Sequence, residues 1–294
     1  MKNSLLTLGF LLTVVSINAQ RAPEKTINFD NKVTDLVIVP VNGIAVISEG
    51  EKMHGYSPID ENIIWSVDAP KKSGINKAAQ ILTTGSLDTS ADFTVIEDTP
   101  FVQKFIDDQL YVFNSITGET IFASENNERY FQAEYLFDEN ALLLRGVEDQ
   151  SLIIAKYSLT NKKMDWKTTV SKTYGAFLQS MAKLSGDDQT GLLDVMEYSD
   201  DKIFALVKSK FYVLNKADGT LLWKEEEDTV ADFRITKDAK KLITVQTKGL
   251  FANKSLINLH NANTGEKVWD DALTTKYLVL FEDWQDKMLL AHYR

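Results

Sequence analysis

The chain has 294 residues, 44% hydrophobic and 25% charged, values of an ordinary globular protein that exclude a disordered or fibrous class. A formal charge of −10 repels phosphate backbones, and no run of five basic residues interrupts it, so nucleic acid is excluded as a partner. There is no cysteine, so disulfides are excluded as well and stability must come from packing.

In chain order, Met1-Lys2-Asn3 gives a short positive start, residues 5–15 are apolar, and Ala19 ends a small-residue stretch. That pattern predicts a signal peptide over 1–19, cleaved before Gln20. The rival reading is a membrane anchor, but the apolar run falls short of the ~20 residues a spanning helix needs. No later stretch approaches that length, so no membrane span is expected. The absence of cysteine also excludes a lipoprotein acylated at its N-terminal Cys. The expected location is secreted or periplasmic, with 20–29 as an N-terminal segment.

From residue 30 onward the chain repeats. Five segments, 56–65, 113–122, 157–166, 214–223 and 260–269, each run from an apolar or aromatic residue through a turn to an aromatic nine positions on: Trp65, Phe122, Trp166, Trp223 and Trp269. His260 is the one polar starting residue. Each segment reads as a β-hairpin. Asn114, Asn215 and Asn261 can hydrogen-bond the backbone just ahead and open the turn. Gly118, Gly219 and Gly265 supply the positive φ that closes it. The two copies lacking Gly offer Asn62 and Asn161 for that conformation. Before the turns the chain alternates or runs apolar, as at 110–113 and 211–214, which is a strand period.

Two more strand-like runs precede each hairpin, for example 130–137 and 141–145, or 231–235 and 241–247. Four strands per repeat, closed by an aromatic every 44 to 57 residues, predict an all-β fold of propeller blades. About five and a half blades are present: five ending near 65, 122, 166, 223 and 269, and a partial sixth over 275–294. The two longer repeats carry their surplus at 71–89 and 172–190, both partly helical in pattern (75–82 and 177–184). These stretches join the outer strand of one blade to the inner strand of the next. They mark the face on which a protein or polymer partner is expected.

The pattern apolar–Asn–x–x–(Thr/Asp)–Gly–x–x–x–Trp resembles the repeat of the PQQ-like, or quinoprotein-type, β-propellers. Segments 113–122, 214–223 and 260–269 carry the resemblance, which covers roughly 30–294. It implies that Trp65, Trp166, Trp223 and Trp269 dock on the neighbouring blade, with Phe122 substituting once. Rings of that family close with seven or eight blades, so the expectation is either a truncated ring, the preferred reading, or a ring closed by pairing of the terminal strands with the segment near 26–29. The repeat is architectural and carries no function by itself. It raises one enzymatic alternative, a quinoprotein oxidoreductase using PQQ and calcium, or a fragment of one. Many such enzymes hold an adjacent Cys pair against the cofactor; this chain has none, and no calcium ligand or catalytic Asp falls on a matching position.

Other chemistry is sparse. His54, His260 and His292 are far apart and build no zinc motif; His260 shares its repeat position with Tyr56, Phe113, Tyr157 and Leu214, which predicts a packed role. The acidic pairs lack calcium-loop spacing, and only Asp187 and Asp188, after Gly186, stand as weak candidates for a hard cation. No nucleophile elbow, P-loop or dinucleotide fingerprint occurs. No catalytic or cofactor-binding residue is therefore assigned, and no cofactor is expected. The expected function is a non-catalytic binding or scaffold propeller of the cell envelope. The oxidoreductase would differ by showing carboxylates that converge on the ring centre.

Overall fold

The computed structural model describes residues 26–70, 93–106, 109–124, 128–148, 151–172, 195–207, 209–225, 230–248, 254–276, 278–284 and 287–292. Among them every long element is a strand, and the strands form five four-stranded antiparallel sheets and one pair. Blade 1 contains β1 (Val33–Ile38), β2 (Ala45–Glu49), β3 (Lys52–Ser57) and β4 (Asn62–Asp68). Blade 2 contains β5 (Thr94–Val95), β6 (Phe101–Ile106), β7 (Gln109–Asn114) and β8 (Thr120–Ala123). Blade 3 contains β9 (Glu128–Leu136), β10 (Ala141–Glu148), β11 (Ser151–Ser158) and β12 (Lys163–Lys172). Blade 4 contains β13 (Val195–Tyr198), β14 (Lys202–Val207), β15 (Lys210–Asn215) and β16 (Leu221–Lys224). Blade 5 contains β17 (Val230–Ile235), β18 (Lys241–Lys248), β19 (Lys254–Asn261) and β20 (Leu273–Thr275). The pair is β21 (Leu278–Trp284) with β22 (Lys287–His292). Consecutive strands are neighbours throughout, which is the up-and-down blade of a β-propeller.

The sequence dictates this arrangement through burial on two sides. The second and third strands of each blade are covered by the blades before and after, and the most apolar of them, β10 and β14, read as nearly unbroken apolar runs. All of β14 is buried, as are 141–146 in β10. First and last strands alternate instead, as in β1, where every second residue is exposed. The core consequently lies in the seams. Val46, Met53, Phe93 and Val102 fill seam 1/2, and Leu142, Leu144, Leu110 and Val112 fill seam 2/3. Leu143, Ile154, Ala205 and Leu214 fill seam 3/4, and Phe204, Phe211, Phe233 and Leu242 fill seam 4/5. Each of these Val, Leu, Ile, Met and Phe side chains contributes about 1.5–3 kcal/mol through its removal from water.

Because the strands run up and down, each blade puts its first-to-second and third-to-fourth turns at one end, here the turn face. Its second-to-third turns and the connections to the next blade leave from the opposite, connection face. The flanking strands place 71–89 and 172–190 among those connections. The helical pattern at 75–82 and 177–184 lies outside the described residues, as do the leader 1–19 and the cut before Gln20. No helix among the described residues is long and apolar enough to cross a membrane.

Two details differ from the sequence expectation. In the turns that lack glycine, the positive φ falls on Glu61 (φ 54) and Lys162 (φ 51), not on Asn62 or Asn161. The hairpin register fixes the left-handed position four residues after Ser57 and Ser158, and the nearby asparagines miss it by one place. In blade 5 the outer strand begins at Leu273, so Trp269 precedes it and lies in a bend rather than a strand.

Candidate functional site

Asn114, Asn215 and Asn261 end the third strand of their blades and tie the turn that follows. Their side-chain oxygens accept the N–H of Ile116 (2.8 Å), Ala217 (2.8 Å) and Asn263 (2.9 Å). Their backbone carbonyls accept the N–H of Gly118, Gly219 and Gly265, each at 2.8 Å. This geometry frees the carbonyl of the residue between, which receives an indole N–H from the preceding blade. Trp65 donates to Ser115 O (2.7 Å), Trp166 to Lys216 O (3.1 Å) and Trp223 to Ala262 O (2.9 Å). The rings lie flat over the turn glycines: a Cβ there would stand 2.4 Å from Trp166 at Gly219 and 2.7 Å from Trp65 and Trp223 at Gly118 and Gly265. Each glycine thus serves a positive φ of 71–74° and an aromatic neighbour together.

Seam 2/3 departs from this pairing at both ends. Blade 3 carries Lys162 at the left-handed position, and blade 2 carries the smaller Phe122, whose ring meets Tyr130 and Tyr157 edge-on at 5.7 and 5.1 Å. Trp269 is 38% exposed, and blade 5 buries a cluster of its own, Ile243, Val245, Ile257 and Leu259, separate from the seam with blade 4.

Carboxylates recur on the innermost strands of blades 1, 3, 4 and 5: Asp35, Glu134, Glu197 and Asp232. Sequence reasoning passed over them because they are scattered far apart over four of the five inner strands and form no motif. Each is matched to cationic charge near its own seam. Lys104 meets Asp35 at 2.7 Å with both side chains buried, and Asp35 also accepts the Phe93 N–H. Arg145 pairs with Glu134, and Arg234 with Asp232. Burial pushes the Glu134 carboxyl up despite Arg145, and it pushes Glu197 up with Arg234 opposing and Asp232 assisting. Among the described residues no three His, Asp or Glu side chains gather into a metal-holding group.

The histidines are bound into the sheets. His260 is fully buried; Nδ1 donates to Gly265 O (3.1 Å), Nε2 lies 3.0 Å from the Thr244 hydroxyl and 3.7 Å from Glu225 Oε2, and the ring stacks on Trp223. His54 bridges Ser66 and Glu49 at 2.8 and 2.9 Å. His292 closes β22. Asp187 and Asp188 lie outside the described residues.

Seam 3/4 carries the densest charge. Lys216, buried, donates to Asp138 (2.9 Å) and to Ser199 O (3.2 Å), while Lys156 donates to Glu139 (2.7 Å) and to the Lys216 and Ala217 carbonyls. The Lys216 hydrogen bond holds the Asp138 carboxyl below the usual range against a smaller opposing effect of burial. Burial pulls Lys216 down, but Asp138 and Glu139 together outweigh it and raise the ammonium above its ordinary value. A depressed carboxylate contributes stability above its unfolded pKa of about 3.9 and loses it as pH falls through the folded value. A raised lysine contributes below about 10.4 and loses it as pH rises through its folded value. Lys216→Met is therefore expected to flatten the dependence of urea stability on pH below about 4, near the unfolded carboxylate pKa. An unchanged acid limb would remove this pair from the seam.

Exposed apolar side chains occur on several strands, among them Leu36, Ile38 and Leu221, and four more stand on the turn face. Val41 is 50% exposed, Ile59 86%, Ile116 50% and Phe137 59%. They belong to turns of blades 1, 2 and 3, and hydrogen bonds and ring contacts of neighbouring residues link the turns of Val41, Ile116 and Phe137. Asn42, next to Val41, donates to Ser115 Oγ at 2.9 Å, next to Ile116. Ser115 N donates to Pro100 O at 2.9 Å, and Phe101, Tyr135 and Phe137 follow in ring contacts of 5.4 and 4.9 Å. The sequence holds a signal for part of this: Ile59 and Ile116 occupy the turn position that is Thr160, Ala217 and Asn263 in the other blades.

No protein-family model matches the chain, and no curated protein is detectably similar to it. Among solved structures, the computationally designed Ika8 protein is similar with a TM-score of 0.46 and 10% identity, over 90% of this chain and 69% of that one. Hsv2 of Kluyvelomyces marxianus gives 0.39 and 10%, over 84% and 63%. Dihydro-heme d1 dehydrogenase NirN in complex with DHE gives 0.45 and 10%, over 92% of this chain and 56% of NirN. The propeller fold stands on the chain's own five sheets.

Proposed function

We propose that this chain is an exported, PQQ-like-repeat β-propeller that binds a protein partner through its turn face and performs no catalysis of its own. The observation that carries the reading is the set of exposed apolar side chains Val41, Ile59, Ile116 and Phe137 on the turn face, with the turns of Val41 and Ile116 tied across blades 1 and 2 by Asn42 and Ser115. Isolated exposed apolar residues are ordinary on a surface, whereas a joined set at one end of a rigid scaffold marks a contact site. The indole-to-carbonyl docking over turn glycines supports the PQQ-like repeat. Pairing of Asp35, Glu134 and Asp232 with bases near their own seams favours a structural use of those carboxylates. Export rests on the leader pattern at 1–19, and binding without a cofactor is the matching proposal. The connection face, where 71–89 and 172–190 suggested a partner, is carried by segments that lie almost wholly outside the described residues, and it stands as the second candidate surface.

The test places a photo-crosslinking amino acid at Ile59 or Ile116, and in a control at Lys52 near the other end of blade 1, in the cells that express the protein. A discrete protein adduct at 59 and 116, absent at 52, is expected. Adducts at no turn-face position would end the reading. Saturable quenching of Trp fluorescence by PQQ with calcium would replace it with the oxidoreductase alternative.

A further inference from the structure

We infer that the occupant of the turn face is a basic amphipathic segment of another protein, one that places Lys and Arg around a row of apolar side chains. This rests on the turn face being a protein-contact surface, and it assigns the chemistry of the partner.

The charge distribution carries the inference. The four turns of blades 1 and 2, residues 39–44, 58–61, 96–100 and 115–119, contain Asp60, Glu61, Glu97, Asp98 and Glu119 and no Lys or Arg. Twenty residues thus hold half of the formal net charge of −10. The same turns present Val41, Ile59 and Ile116, and all five carboxylate residues are exposed beside them. An apolar strip rimmed by one sign of charge selects a partner with apolar side chains and the opposite charge, and it steers encounter electrostatically. It repels anionic lipid headgroups and polyanions by the same field.

Two further features fit a prepared surface. Glu61 (φ 54) and Asp98 (φ 55) hold the left-handed conformation that glycine adopts without strain, and Glu61 occupies the position that is Gly118, Gly219 and Gly265 in other blades. The indoles of Trp65, Trp166 and Trp223 lie over Gly118, Gly219 and Gly265, whereas at the 58–61 turn an acidic residue takes the glycine position. The tips are also tied internally. Thr99 Oγ1 donates to Ile96 O, Asn114 accepts Ile116 N–H, and Thr117 accepts Glu119 N–H. Preformed turns lose little freedom on binding. Glu119 also reaches Lys162 of blade 3 at 2.9 Å in an exposed pair, which a partner ammonium or guanidinium can replace.

The test uses the full chain and two labelled synthetic helices of equal length, one of Leu and Lys and one of Leu and Glu, read by fluorescence anisotropy. The Leu/Lys helix is expected to bind at least tenfold more tightly. Glu97→Lys with Glu119→Lys is expected to weaken it at least tenfold and to reduce the salt dependence. Glu51→Lys with Asp68→Lys makes the same net charge change toward the connection face and is expected to leave binding within twofold. Ile59→Ser with Ile116→Ser is expected to weaken binding at least fivefold with the salt dependence retained; circular dichroism and urea midpoints verify that all variants fold. Equal binding of both helices, equal loss in both charge variants, or indifference to the Ile variants would overturn the inference. A discrete crosslinked adduct at Ile59 whose attached segment is neutral or acidic would overturn it too, while leaving the turn face a binding surface.

Discussion

Gly219→Ala is expected to cost about 2–5 kcal/mol of stability in equilibrium urea unfolding, far above the usual effect of one added methyl group. The first part is conformational: Gly219 stands at φ 71, where a side chain costs about 1–2 kcal/mol. The second part is steric, because the new Cβ would lie 2.4 Å from Trp166 Cε3 and 2.7 Å from Thr168 Oγ1. Trp166 is buried and tied to Lys216 O, and Thr168 is tied to Gly219 O at 2.6 Å, so neither yields without breaking a hydrogen bond. Overpacking of that kind costs about 1–3 kcal/mol. The diagnostic experiment is the double variant Trp166→Phe with Gly219→Ala, which recreates the Phe122–Lys162 arrangement of seam 2/3. Its cost should fall at least 1 kcal/mol below the sum of the single costs, a coupling typical of residues in contact. Additive costs would mean that indole and glycine do not share one site.

That pair also shows where the sequence speaks. The Asn and Gly spacing at 114/118, 215/219 and 261/265 fixes the hairpins, because the left-handed turn position tolerates few residue types. Apolar runs such as 141–144 and 203–207 identify strands covered on both sides. The bent register of blade 5 is not legible: Trp269 keeps its nine-residue spacing while the strand that should hold it starts at Leu273. The turn-face patch is half legible, since Ile59 and Ile116 stand at one repeat position, whereas Val41 and Phe137 join only through contacts between blades. Inner-strand carboxylates escape notice for a related reason. Asp35 and Lys104 are 69 residues apart and meet only because blade 2 folds against blade 1.

Lys104→Met is expected to cost about 3–5 kcal/mol, since it leaves the buried Asp35 carboxylate without its cation. Asp35 accepts two donors on one oxygen, the Lys104 ammonium at 2.7 Å and the Phe93 N–H at 2.6 Å, and the ammonium also lies 4.1 Å from the centre of the Phe93 ring. Removing the lysine takes away charge pairing and a cation–π contact together, while the hydrogen bond from Phe93 cannot compensate a full negative charge in a seam lined by Val37, Val95 and Val102. The partner substitution separates charge from hydrogen bonding. Asp35→Asn with Lys104→Met removes both charges and keeps an acceptor for Phe93 N–H, so the double variant should return to within about 1 kcal/mol of the parent, as isosteric replacement of a buried pair often does. Asp35→Leu with Lys104→Met strands the Phe93 N–H and should lie about 1–3 kcal/mol lower than the Asn version, the cost of an unmade buried hydrogen bond. Urea unfolding of the three variants, followed by Trp fluorescence, orders them directly. A cost under about 1 kcal/mol for Lys104→Met alone, the range of a solvated surface pair, would show that solvent reaches the inner end of seam 1/2. The carboxylate of Asp35 would then be open to a ligand on the propeller axis rather than committed to holding blades 1 and 2 together.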